Sequence, residues 1–120
     1  MRVLIADDSK AMRMIVLRTL RQSGLPVDEV CEAEDGALAL AAVPGFEPTL
    51  ILSDWNMPNM TGIEFLHALR ATGNTTTFGF VTSESNPAMR EQAIAGGAAF
   101  HLTKPFDAER LGEVVGAVVG

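Results

Sequence analysis

The chain has 120 residues and a formal net charge of −6, a size that fits one domain, spanning 1–120, able to bury roughly 60–70% of its unfolded surface. The acidic balance disfavours a surface that tracks nucleic-acid phosphates. The lone Cys31 excludes an internal disulfide, and the lack of zinc-type Cys/His spacing or a secretory leader predicts a cytoplasmic protein. No apolar stretch approaches the roughly 20 residues of a membrane span, since the longest, from Ala37, is stopped by Pro44 and Gly45.

Strand-length apolar runs alternate with segments of helical period, the pattern of an α/β domain with a parallel sheet. The first predicted strand, Arg2 to Ala6, is continuously apolar from Val3, as expected of a strand covered on both faces. Ser9 is placed to cap a helix whose stripe is Met12, Ile15, Val16 and Leu20. The cations Arg2, Lys10, Arg13, Arg18 and Arg21 crowd this end; they read either as a solvated face or as a docking edge for an acidic partner. Glu29 to Ala33 is a mixed strand suited to a sheet edge, and Asp35 starts the next helix.

Leu50 to Asp54 is the third strand, and Thr61 with Glu64 forms a capping-box signature ahead of the third helix. A fourth strand runs from Phe78 to Thr82, followed by a helix with Asn86 as cap and Pro87 at its first position. The fifth strand is Ala99 to Thr103. Asp107 caps a last helix with the stripe Leu111, Val114, Val115 and Val118, whose Gly112 and Gly116 leave its stability to packing.

Five side chains fall at the carboxyl ends of these strands: Asp7 and Asp8 after the first, Asp54 at the third, Thr82 at the fourth, Lys104 after the fifth. Ligands of open α/β sheets bind on that edge. Each Asp alone reads as a turn former, but their joint placement points to a site. Unit charges about 4 Å apart repel by roughly 4 kcal/mol at an effective dielectric near 20, so clustered carboxylates call for a cation. An all-oxygen set favours a hard ion such as Mg²⁺, which keeps waters and shares phosphate oxygens. A carboxylate can attack phosphorus to give an aspartyl phosphate. Mg²⁺, Lys104 and the Thr82 hydroxyl would then serve the three phosphoryl oxygens. Lys104 precedes Pro105, a bond type that can be cis.

Leu4-Ile5-Ala6-Asp7-Asp8-Ser9, Ser53-Asp54-Trp55-Asn56-Met57-Pro58-Asn59-Met60, Thr82-Ser83-Glu84 and Thr103-Lys104-Pro105-Phe106 resemble the signature segments of response-regulator receiver domains. The segment from Ser53 to Met60 is most similar to the CheY-like, chemotaxis-type members. The resemblance covers essentially the whole chain and implies a (βα)5 doubly wound, flavodoxin-like parallel sheet of strand order 2-1-3-4-5. It implies Asp54 as phospho-acceptor in a two-component phosphorelay. The implied Mg²⁺ ligands are Asp8, Asp54 and the carbonyl of Asn56, with Asp7 acting through water. Thr82 and Lys104 would bind the phosphoryl group, Asn56 and Glu84 would tune its hydrolysis, and Thr82 with position 101 would form the switch. Implied partners are a histidine kinase or phosphotransfer domain and a downstream target such as a flagellar motor switch protein, met by a monomer.

The chain departs from the family at His101, where a switch Tyr or Phe is usual, and at Thr61, where related chains carry Asp. Its end at Gly120 suits a stand-alone regulator and equally a receiver belonging to a larger regulator or hybrid kinase. An aspartyl-phosphate phosphatase acting on external substrates, as in the haloacid-dehalogenase family, would need a second Asp two positions after the nucleophile. Asn56 stands there and is no general acid. A flavodoxin-like cofactor binder would need a Gly-rich or Ser/Thr-rich phosphate loop after the first strand, and none follows it here. The chain is therefore expected to catalyse only its own phosphorylation and dephosphorylation, and His67 to be a surface residue.

Overall fold

The apolar runs at Val3 to Ala6 and Leu50 to Leu52 lie at the centre of the sheet, where both faces are covered, and every residue in them is fully or almost fully buried. A computed structural model of the chain describes residues 1–84 and 86–119, so the expectation attached to Gly120 lies outside the described residues. Strands β1 (Arg2–Ala6), β2 (Glu29–Ala33), β3 (Leu50–Ser53), β4 (Thr77–Thr82) and β5 (Phe100–Thr103) alternate with helices α1 (Lys10–Gln22), α2 (Gly36–Phe46), α3 (Gly62–Ala71), α4 (Pro87–Ala95) and α5 (Ala108–Val119). All pairings are parallel, in the order β2-β1-β3-β4-β5. β2 is the mixed edge strand its sequence suggests.

Side-chain alternation splits the core between the two faces of the sheet. Leu4, Ile51, Phe78 and Phe80 pack with Phe65, Leu66 and Leu69 of α3 and with Ala39 and Val43 of α2. Val3, Ile5, Leu50, Leu52 and Val81 meet Val16 and Leu20 of α1 and Leu111 and Val115 of α5. Val16 and Leu20 of α1 and Leu111 and Val115 of α5 are buried against the sheet with Val114 packed beside them; of the predicted stripes Ile15 and Val118 are exposed, and Leu17 packs inward.

The anticipated caps form. Ser9, Asp35, Thr61 and Asn86 accept N–H bonds from Met12, Leu38, Glu64 and Met89, and Asp107 accepts from Arg110. The Thr61 and Glu64 capping box is complete. α2 runs through Pro44 to Phe46 rather than stopping at the proline; near a helix end the missing N–H breaks little of the ladder. Among the described residues no helix is long and apolar enough to cross a membrane.

Candidate functional site

Parallel strands all end on one edge, so the residues following β1, β3 and β5 are brought together whatever their separation in sequence. Asp54 leaves the regular ladder one residue earlier than expected, although its N–H still donates to the carbonyl of Ala6 at 2.8 Å. Carboxylate oxygens of Asp7, Asp8 and Asp54 lie within 4.8 Å of one another. Asp7 is buried, Asp54 half-buried and Asp8 exposed. Lys104 reaches across from the end of β5, its Nζ donating to Asp7 Oδ2 at 3.1 Å, and its bond to Pro105 is cis.

Asp54 Oδ1 accepts the Trp55 N–H at 2.8 Å. Burial pushes its carboxyl above the ordinary range and the Asp7 charge adds to this, while the Lys104 ammonium, the Trp55 N–H and the Thr82 hydroxyl pull it down without cancelling the rise. Thr82 is fully buried at the end of β4, and its Oγ1 accepts the Glu84 N–H at 3.2 Å. Asn56 and Glu84, 28 residues apart, meet through a hydrogen bond from Nδ2 to Oε1.

His101 is 8% exposed, its ring 6.1 Å from those of Trp55 and Phe80, and among the described residues its Nε2 has no hydrogen-bond partner. Burial, helped by the Arg90 charge, holds its imidazole below the usual histidine range. His67 is exposed on α3. A groove of about 660 Å³ between α4 and α5 has Arg90, His101, Phe106 and Arg110 in its lining, and none of the three clustered carboxylates lines it.

Several contributors escape a reading of the sequence. Arg13, grouped there with surface cations, is half-buried: Nη1 donates to the Asp7 carbonyl at 2.6 Å and Nε pairs with Glu32 at 2.9 Å. Arg2 is likewise engaged, with Glu29 and the carbonyl of Phe46. The exposed basic surface near α1 is therefore reduced to Lys10, Arg18 and Arg21. Gly62 lets α3 start against the site, because a Cβ there would stand 2.1 Å from the Asp54 carbonyl oxygen. A glycine directly after a predicted cap was the available signal.

The sheet order, the acidic trio and the lysine facing it coincide with a match of residues 3–116 to the response regulator receiver domain family. The chain belongs to that family. This receiver is 35% identical to the chemotaxis protein CheY of Pseudomonas aeruginosa, over 96% of the chain and 93% of that protein. Its structure is similar to that of CheY4 of Vibrio cholerae, with a TM-score of 0.85, 38% identity and coverage of 98% and 97% of the two chains. The receiver domain of the putative response regulator NarL from Mycobacterium tuberculosis gives a TM-score of 0.89 at 33% identity, covering 98% and 94%.

Proposed function

We propose that this receiver accepts a phosphoryl group on Asp54 from the phosphohistidine of a histidine kinase or phosphotransfer domain. An Asp54 carboxylate oxygen attacks phosphorus, the P–N bond breaks, and its electron pair returns to the donor imidazole, which takes up a proton. Water later adds to phosphorus and releases inorganic phosphate, restoring the carboxylate. No external substrate is turned over. The observation that carries this reading is the meeting of three carboxylates within 4.8 Å beneath a lysine.

That donor set, all oxygen and acidic, fits a hard divalent cation. Asp8, Asp54 and the Asn56 carbonyl would hold Mg²⁺, with Asp7 reaching it through water, and the ion supplies charge neutralisation for a phosphoryl oxygen. Lys104 serves a second oxygen as a point charge and the Thr82 hydroxyl a third. The Asn56 and Glu84 pair governs the access of water, and so the lifetime of the signal. Thr82 and the buried ring of His101 relay the change to the face built by α4, β5 and α5. Chemotaxis signalling is the context favoured by relatives named as chemotaxis proteins, and a cytoplasmic monomer that engages a flagellar motor switch protein would serve it.

Intact-mass measurement after incubation with acetyl phosphate and Mg²⁺ tests the reading. The wild type should gain one phosphoryl group and Asp54→Asn none; equal labelling of the variant would overturn it.

A further inference from the structure

The loop from Asp54 to Gly62, which carries Asn56, is fastened at a point outside the carboxylate cluster. Asp35 is 5% exposed and uses both oxygens: Oδ1 accepts the Leu38 N–H at 2.7 Å and Oδ2 accepts Asn59 Nδ2 at 2.8 Å. Asn59 itself sits at φ 66°, a left-handed conformation that Asn adopts more readily than most residues. Beside it the Gly36 N–H donates to the Met60 carbonyl at 3.1 Å, and a Cβ on Gly36 would stand 2.6 Å from that oxygen. The loop is thus pinned to the start of α2.

At its other end the Gly62 N–H donates to the Trp55 carbonyl at 2.8 Å. Between the two anchors Trp55 and Met57 are buried on either side of the exposed Asn56. Such a short span leaves the Asn56 peptide little freedom once both ends are held. We propose that Asp35 and Asn59 are positioning residues of the phosphorylation site: their hydrogen bond sets where the Asn56 carbonyl stands, and with it the affinity for Mg²⁺, although neither belongs to the carboxylate cluster. The proposal rests on the phospho-acceptor reading above.

Three variants separate this role from helix capping and from backbone strain. Asp35→Asn retains a good capping residue, yet its amide cannot both accept from Leu38 and accept from Asn59. Asn59→Gly keeps the left-handed backbone and removes the amide. The double variant Asp35→Asn with Asn59→Asp exchanges donor and acceptor and restores the bond. The Mg²⁺ dissociation constant is read from the fluorescence of Trp55, the sole tryptophan, and folding from thermal unfolding without Mg²⁺. Repeating the titration in roughly 1 M salt, where the Debye length is about 3 Å, removes the long-range effect of moving a charge.

Each single variant should weaken Mg²⁺ binding by about threefold to tenfold, below or just reaching the roughly 10- to 100-fold that partners bonded directly to metal ligands contribute, and the exchange should return it to within about twofold of wild type. Single variants with wild-type affinity, or an exchange no tighter than the singles, would overturn the proposal. A wild type with no Mg²⁺ response at all would overturn the metal reading beneath it, and the proposal with it.

Discussion

Asp35 and Asp54 are the same side chain under opposite conditions. Asp35 stands at a helix start, where both oxygens are met by donors, and the Leu38 N–H followed by the Asn59 amide hold its carboxyl below the usual range. Glu64, at the start of α3, is held down in the same way by the Thr61 N–H and hydroxyl. Asp54 stands at a strand end with other carboxylates beside it, and burial pushes it up. Carboxylates that organise the chain have donors that outweigh their burial; at the proposed phospho-acceptor burial outweighs the Lys104 charge, the Trp55 N–H and the Thr82 hydroxyl. Their contributions to stability have opposite signs. A lowered carboxyl contributes stability above its ordinary pKa that is lost as pH falls through the folded value, whereas a raised one loses stability as pH rises from the ordinary value to the folded one.

The sharpest break of this contrast is the removal of Asp8. If the strand-end carboxylates exist to hold a cation, Asp8→Ala should weaken Mg²⁺ binding by more than about tenfold, since a direct ligand matters at least as much as an outer contact. Titration of Trp55 fluorescence checks this, and wild-type affinity in the variant would remove Asp8 from the site. A smaller effect is expected on stability. Asp54→Asn should raise the thermal midpoint at neutral pH without Mg²⁺, because it deletes a charge that the fold disfavours. The gain should shrink as pH falls toward the ordinary Asp value of 3.8. Asp35→Asn should show no such gain. A lower midpoint for Asp54→Asn at neutral pH would contradict the contrast.

His101 extends the comparison to a neutral group, for it is buried and its Nε2 has no hydrogen-bond partner among the described residues. Its lowered pKa means that the unfolded chain takes up a proton before the folded one does. Stability should therefore fall as pH drops below about 6.5 and level off beneath the folded value. His101→Phe should remove that part of the acid dependence. Thermal midpoints across a pH series check it, and identical slopes in the two proteins would show that the imidazole is accommodated in both states.

What was legible in the sequence was local or cumulative. Continuous apolar runs marked β1 and β3, caps marked the helix starts, and strand-end position marked Asp7, Asp8, Asp54, Thr82 and Lys104, because parallel strands converge on one edge regardless of spacing. Pairings between distant segments were not legible. Asp35 reads as a cap, and only the packing of the loop after β3 on α2 brings Asn59 24 residues away to its second oxygen. Arg13 reads as a surface cation until β2 places Glu32 beside it. Ile15 fits a helical stripe, yet the line along which α1 meets the sheet passes through Val16 and Leu20 and leaves it outside.

On the proposed function, Asp54 and no other carboxylate of the crowded edge becomes the acyl phosphate. Borohydride reduces an acyl phosphate to the corresponding alcohol and leaves free carboxylates untouched, so it marks the acceptor permanently. The chain would be phosphorylated from a phosphohistidine donor in the presence of Mg²⁺, reduced, digested and mapped by tandem mass spectrometry. A homoserine at position 54 alone is the predicted result. Reduction at position 7 or 8, or spread over the three, would rule out Asp54 as the sole acceptor.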